Sequence, residues 1–242
     1  RLRDVINKGV MEEDILRTVG QAFESGWGTI KLYFMIGLPT ETIEDIEGIG
    51  NLGEKVLKEY LKVDMEKRNK NIKITLSTSS FVPKPFTPFQ WEPQNTMEEL
   101  REKQIHLKRT IRDRKINYNW HDNKTSFLEA VFSRGDRRLG KVLLKAWEKG
   151  CKFDGWNEHF NFNKWLEAFQ EVQVDPAFYA YRQRKYDEIL PWDFIDIGVT
   201  KEFLIREHKN ALKGRVTPYC REACVYCGIQ DLDGGWSCYD NS

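Results

Sequence analysis

The chain has 242 residues, 40% of them hydrophobic and 31% charged, which is enough for one large domain or two modest ones. Its 38 basic and 37 acidic residues leave a net charge of +1, which gives no argument for nucleic acid, a membrane surface or a strongly acidic partner. No apolar run reaches the ~18–20 residues that span a bilayer, and no signal peptide is recognisable, so we expect a cytoplasmic protein. Because the chain opens on Arg1 in the middle of a pattern, we expect a truncated N-terminus.

The first half alternates between predicted helices and strands. Apolar residues at every fourth position predict a helix over 11–25. Residues 29–36 are apolar almost throughout, which predicts a strand buried on both faces of a parallel sheet. Gly37 and Pro39 interrupt this strand, and Thr40 or Thr42 then begins the next helix.

A second strand is predicted around 72–79, with one apolar face and one face of hydroxyl side chains. The segment 81–93 contains four prolines, so we expect an ordered loop without regular structure. Thr96 then begins a long helix that is predicted to run to about Arg114. Two strands with their connecting helices are too few to close a barrel, so this α/β pattern predicts the last units of a (β/α) barrel whose earlier units lie upstream.

After Tyr118 the pattern becomes mainly helical and rich in tryptophan. We therefore predict three regions: the C-terminal part of a barrel over 1–117, a mainly α-helical domain over 118–215, and a Cys-rich tail over 216–242.

Four segments, taken in order, resemble radical S-adenosylmethionine (radical SAM) enzymes, in particular the branch with an N-terminal cobalamin-binding-like domain. The segments are LYFMIGLPTET at 32–42, SSFVPKPFTPFQW at 79–91, WHD at 120–122 and RGDRR at 134–138. The resemblance covers nearly the whole chain and implies a partial TIM-like (β/α) barrel.

The resemblance implies an enzyme with a [4Fe–4S] cluster that binds S-adenosylmethionine and generates a 5′-deoxyadenosyl radical, which modifies an unknown substrate. Its chemistry lies at the C-terminal ends of the strands, so contacts to S-adenosylmethionine are carried over to Gly37, Leu38, Pro39, Phe81 and Val82. The alternative is that Gly37 and Pro39 only end a strand. An upstream barrel half and a cobalamin domain of the same polypeptide are further implications, and the fragment alone is expected to be inactive.

The cysteines of the tail have the spacing CxxxCxxC, which is also the spacing of the radical SAM cluster motif. They are Cys220, Cys224 and Cys227, with Cys238 as a candidate fourth ligand. In the family that motif normally follows the first barrel strand, and too few residues follow Cys227 to build a barrel. The tail therefore predicts an accessory site, and an auxiliary iron–sulfur cluster, a zinc site and no stable metal all remain open.

Several other residues are candidates for a functional role, but each also has a simpler structural explanation. The pair His121 and Asp122 could act as a base or bind metal, but adjacent side chains of an extended segment point apart. The cluster Arg134, Asp136, Arg137 and Arg138 could grip an anion, although ion pairs at a helix start are favoured.

One cysteine, two histidines and three tryptophans are predicted to have structural roles. Cys151 is predicted to be a buried structural thiol. His106 and His208 lie among charges on predicted helices and are expected at the surface, whereas the tryptophans Trp156, Trp165 and Trp192 are expected in the core.

Two alternative functions come from other classes of protein. The first is a nucleic-acid-binding module in which the tail is a zinc knuckle and the aromatic residues stack on bases, which the neutral charge disfavours. The second is a structural or assembly domain whose helices dock a partner.

Overall fold

The computed structural model describes residues 1–231 and shows an α/β protein with a three-stranded parallel sheet of order β1-β2-β3 that is not closed. The α/β class is therefore confirmed. The elements are α1 (Leu2–Val5), α2 (Glu12–Glu24), β1 (Thr29–Ile36), α3 (Ile43–Lys62), β2 (Lys73–Ser80), α4 (Met97–Thr110), β3 (Ile116–Trp120), α5 (Asn123–Ser133), α6 (Leu139–Glu148), α7 (Phe162–Val172), α8 (Pro176–Ala180), α9 (Lys201–Ala211) and a 3-10 turn (Ile229–Asp231). Within the described range, no helix is both long and apolar enough to cross a bilayer.

The chain divides into two compact units. Among the described residues, the sheet unit contains 1–81, 97–121 and 209–217, and the helical unit contains 82–96, 122–208 and 218–231. The proline-containing loop after β2 thus belongs to the helical unit.

Helix α3 shows how local sequence sets an element of the sheet unit. Thr42 is its N-cap, and the backbone N–H of Thr42 donates to Asp45 Oδ2 at 2.8 Å in a capping box. Of the two threonines predicted to begin this helix, Thr42 is the one that does so. Gly53 faces the sheet, where a Cβ atom would lie 3.0 Å from Leu76 Cδ1, so the absence of a side chain allows helix and strand to approach closely.

The core of the sheet unit lies between one face of the sheet and helices α2, α3 and α4. Parallel register aligns Ile30 with Ile74 and Ile116, which all contribute to this core. The buried members of the core are Val19, Phe23, Ile36, Ile46, Ile49, Val56, Leu57, Tyr60, Val63, Ile74, Leu76, Leu100, Leu107 and Ile116.

The opposite face of the sheet contradicts the prediction that β1 is buried on both faces. Tyr33 is 73% exposed and Met35 is 39% exposed, while the alternate residues of β1 pack on the core. The prediction was wrong because β1 is an edge strand and successive side chains of a strand point to opposite faces.

The third strand was missed, and the helix predicted to reach Arg114 ends at Thr110. A turn separates the two elements, in which Asp113 accepts from the backbone N–H of Lys115 at 2.8 Å. Strand β3 contains only five residues, including exposed Asn117 and Asn119, so its periodicity is weak. Pairing with β2, which is a non-local contact, makes it a strand.

The helical unit is held by capped helices and an aromatic core. Asp122 caps α5 through Lys124 and Thr125 N–H, and α6 packs against α7. Burial of Trp165, Trp192 and Cys151 confirms three of the structural predictions.

Two predictions for the helical unit were wrong. Trp156 is 60% exposed and packs edge-on against the ring of Phe153 in a turn, outside the core. His208 is 2% exposed, because it lies one turn after buried Leu204 on the packed face of α9. Its ring nitrogens lie 2.6 Å from Tyr186 Oη and 2.9 Å from Glu92 Oε1.

Candidate functional site

The carboxyl end of β1 turns sharply at Gly37, whose φ of +81° lies in the left-handed region that favours glycine. The backbone N–H of Gly37 donates to both carboxylate oxygens of Glu41, at 2.9 and 3.0 Å. These hydrogen bonds join the first and last residues of the loop 37–41, which precedes α3.

Glu41 is the charged centre of this loop. Its side chain is 1% exposed and forms an ion pair of 2.7 Å with Lys103 of α4, whose side chain is 18% exposed. A buried carboxylate needs such partners because it has lost its water. Glu41 was not predicted from the sequence to be buried. The available signal was the capping box of Thr42 and Asp45, which leaves Glu41 outside the helix.

The carboxyl end of β2 lies beside that of β1. Phe81 N–H donates to Ile36 O at 2.8 Å, so the two strand ends are tied together. Phe81 and Leu38 are buried and Pro39 is half-buried at this edge, while half-buried Val82 begins the helical unit.

The structure thus gathers Gly37, Leu38, Pro39 and Phe81 at one edge of the sheet, as their positions after parallel strands predict. Leu38 and Phe81 supply buried apolar side chains at this edge. The N–H donors of Gly37 and Phe81 are already used within the protein.

The second face of the sheet carries the row of hydroxyl groups that the alternation in β2 predicts. Thr75, Ser77 and Ser79 pair in register with Lys31, Tyr33 and Met35 of β1. Thr75 and Ser77 are buried within the central strand, whereas the β1 side chains beside them are exposed.

The described part of the Cys-rich tail from residue 218 to residue 231 belongs to the helical unit. Thr200 N–H donates to Cys227 O at 2.8 Å, and Arg206 donates to Val225 O. Cys220 is exposed, while Cys224 and Cys227 are half-buried. Cys238 lies outside the described residues.

Over residues 1–231, no group of three or more Cys, His, Asp or Glu side chains is arranged to hold a metal ion. The three described tail cysteines are therefore not assembled into a ligand set. The tail metal site stays a prediction.

Four of the remaining candidates, Asp122, Asp136, Arg138 and Arg134, have structural partners. Asp122 caps α5 and does not pair with His121. Arg138 binds Asp136 at 2.6 Å, and this hydrogen bond is the largest cause that lowers the pKa of Asp136 to about 2. For Arg138 and Asp136 the ion-pair interpretation is confirmed. Arg134 is fully buried and binds backbone carbonyl groups instead.

Comparison with known proteins finds an archaeal relative. The chain is 33% identical over 174 residues to an uncharacterized protein of Methanocaldococcus jannaschii. The match covers 72% of this chain and 36% of that protein, so the chain spans about a third of the relative's length. No family model matches the chain, and no solved structure matches it significantly.

Proposed function

We propose that this chain is the C-terminal part of a radical SAM enzyme, that its sheet contributes the last strands of a (β/α) barrel, and that the carboxyl edge of the sheet binds S-adenosylmethionine. The resemblance of four ordered segments motivates the proposal. The single structural observation that carries it is the one-sided packing of helices on a parallel sheet.

That packing distinguishes between two α/β architectures. A doubly wound sheet has helices on both faces, whereas a (β/α) barrel has helices outside and strand side chains filling the inside. In the sheet unit, core residues of α2, α3 and α4 pack on one face. The other face presents hydroxyls and exposed Tyr33, Met35, Asn117 and Asn119, which suits the inside of a barrel that further strands complete.

The residues at the carboxyl edge have separate parts in the proposed site. Gly37 turns the chain without a side chain, so backbone can approach a ligand closely. The ion pair of Glu41 and Lys103 holds the loop in place. Leu38 and Phe81 provide apolar surface and exclude water. When bound, the cluster and S-adenosylmethionine supply the radical chemistry, and the protein orients and shields it.

The greater length of the archaeal relative supports a larger whole protein. In that protein we propose an upstream barrel half with the catalytic cluster and a cobalamin-binding-like domain. The tail with Cys220, Cys224, Cys227 and Cys238 would then be an accessory iron–sulfur or zinc site.

The edge is tested by equilibrium dialysis of labelled S-adenosylmethionine against the 242-residue chain. We expect saturable binding that Leu38→Ala weakens about tenfold, because it removes buried apolar contact surface. The matched control is Leu61→Ala, which truncates a half-exposed leucine on α3. Circular dichroism checks that both variants are folded. The proposed S-adenosylmethionine site at the carboxyl edge would be contradicted if the wild-type chain did not bind this ligand. It would also be contradicted if Leu38→Ala and Leu61→Ala bound it equally well.

The tail is tested by anaerobic reconstitution with iron and sulfide, followed by metal analysis and electron paramagnetic resonance. About four irons and four sulfides per chain, lost in Cys224→Ala and kept in Cys151→Ala, would support an auxiliary cluster. Tight zinc without iron would support a structural knuckle. Failure to retain either metal would contradict the metal site.

A second candidate function rests on exposed aromatic rings of the helical unit. Trp147, Phe153 and Trp156 are 58–69% exposed, and Lys152 Nζ lies 5.2 Å from the centre of the Trp147 ring. Such rings can stack on the bases of single-stranded nucleic acid. Fluorescence anisotropy with a labelled single-stranded RNA tests it, and salt-dependent binding that Trp156→Ala reduces would favour it over a purely structural role.

A further inference from the structure

Three arginines of the helical unit form what we call the arginine cluster: Arg134, Arg182 and Arg184. Arg134 is 0% exposed and Arg184 is 4% exposed, while Arg182 is half-buried. Arginines this deeply buried are rare unless an anion compensates their charge.

The hydrogen bonds of Arg134 go to neutral backbone groups. Its Nη1 donates to Tyr179 O at 2.7 Å and to Ala180 O at 2.8 Å, and its Nη2 donates to Arg182 O at 2.7 Å. These carbonyl groups satisfy donors without neutralising the guanidinium. The pKa of Arg134 falls to about 9, because burial and then the neighbouring Arg184 and Arg182 disfavour its charge.

Arg184 is satisfied still less completely. Its Nη2 donates to Arg134 O, and its guanidinium lies 5.1 Å from the centre of the Trp192 ring. Its Nε and Nη1 are buried and have no acceptor among the described residues. Arg134 Nε, Arg182 Nε and the nearby Trp91 Nε1 are likewise buried donors without an acceptor there.

The carboxylates of this region are already engaged. Glu188 accepts from both Nη atoms of Arg182, at 2.8 and 2.6 Å. Glu92, which also acts electrostatically on Arg134, lies 2.9 Å from His208. Three positive charges therefore have one directly bonded carboxylate in the described part of the chain.

We propose that the arginine cluster binds a small oxyanion, such as inorganic phosphate or a ligand's carboxylate or phosphate group. A planar guanidinium presents donors in a geometry that matches such oxyanions. Buried water could fill the missing hydrogen bonds, but it would leave the excess positive charge uncompensated. The anion sits within the helical unit, and this site does not depend on radical SAM chemistry.

Isothermal titration of the 242-residue chain with inorganic phosphate, in a buffer without other multivalent anions, tests the site. We expect saturable binding of about one phosphate per chain. Arg184→Gln should weaken the affinity about tenfold or more, because it removes hydrogen bonds between charged partners. The matched control Arg137→Gln removes an exposed arginine next to the cluster and should keep wild-type affinity.

The absence of saturable binding to the wild-type chain would overturn the proposal. So would equal affinity in Arg184→Gln, or a comparable loss in Arg137→Gln, since either result would place phosphate on surface cations. If Arg184→Gln fails to fold, the side-chain Nε–H spectrum of ¹⁵N-arginine-labelled wild-type chain decides. Phosphate should shift the slowly exchanging buried arginine signals, and shifts confined to rapidly exchanging signals would contradict the site.

Discussion

At the scale of single residues, two buried charged groups bind partners that lie far away in the sequence. Glu41 meets Lys103 across 62 positions, and Arg134 meets the carbonyl of Tyr179 across 45. No local pattern marks either residue as buried. Their energetic importance follows from the loss of water around a charge, which only the folded neighbours make good.

The buried ion pair at the sheet edge leads to a prediction about stability. Glu41→Gln keeps an oxygen acceptor but removes the charge that binds Lys103 and Gly37 N–H, so we expect a loss of about 2 kcal/mol in the free energy of unfolding. Urea denaturation measures it. The control Glu59→Gln breaks the more exposed pair with Lys62 and should cost less than about 0.5 kcal/mol. Equal losses would contradict a special role for Glu41.

A second prediction concerns the pH dependence that Asp136 contributes. Its pKa is lower in the folded chain, at about 2, than the ordinary value of 3.8, mainly because of its hydrogen bond to Arg138. The stabilisation is therefore complete above pH 3.8 and is lost as the pH falls toward 2. Because Arg138 is largely exposed, we expect about 1 kcal/mol. Urea denaturation between pH 5 and 2 should show that the free energy of unfolding falls less in Asp136→Asn than in the wild-type chain. An equal fall in the two proteins would contradict this contribution of Asp136.

At the scale of elements, helix α3 sets the distance between the helices and the sheet. Gly53 lies against Leu76 and Ile116 on the central and third strands, whereas Gly48 on the same helix has open space around it. The two glycines have the same local conformation and different tertiary surroundings, which makes them a matched pair.

We therefore expect opposite effects from the same substitution at these two positions. Gly53→Ala places a Cβ 3.0 Å from Leu76 Cδ1 inside a packed core and should destabilise the chain by about 1–3 kcal/mol. Gly48→Ala gains helix propensity at an exposed site and should stabilise it by up to about 1 kcal/mol. Thermal and urea denaturation measure both, and destabilisation of similar size at each position would contradict the packing of α3 on β2.

At the scale of the whole molecule, helices α2, α3 and α4 pack on one face of the sheet, and no described strand covers its two edges. Strand β2 pairs on both sides, whereas β1 and β3 each pair on one. An edge strand leaves a row of backbone groups open to water or to another strand. This open sheet is the structural basis for proposing a larger barrel.

Hydrogen exchange tests the openness of β1 directly. In the 242-residue chain we expect the amides of β2 to be the most protected, and those amides of β1 that do not point toward β2 to exchange at least about tenfold faster. Mass spectrometry or NMR measures the rates. Uniform protection along β1 would show that another strand pairs with its outer edge, and it would contradict the open sheet.

The order of helices and strands from α2 to α4, the start of α3 at Thr40 or Thr42 and the burial of Cys151, Trp165 and Trp192 were all predictable from the sequence. The gathering of Gly37 and Phe81 at one edge also follows from the sequence, because parallel strands end on the same side. Periodicity, capping residues and glycine positions are local signals, because they depend on residues that are close together in the sequence.

Only the tertiary structure decided the third strand, the exposed face of β1, the burial of His208 and the partners of Glu41 and Arg184. Asn117 and Asn119 lie in a strand because β3 pairs with β2, and Tyr33 is exposed because it lies on the face of the sheet opposite the core with α2, α3 and α4. By itself the sequence determined which local conformations the backbone prefers. The tertiary fold decided which charged groups are buried and which apolar side chains stay exposed to water, because both depend on neighbours that are distant along the chain.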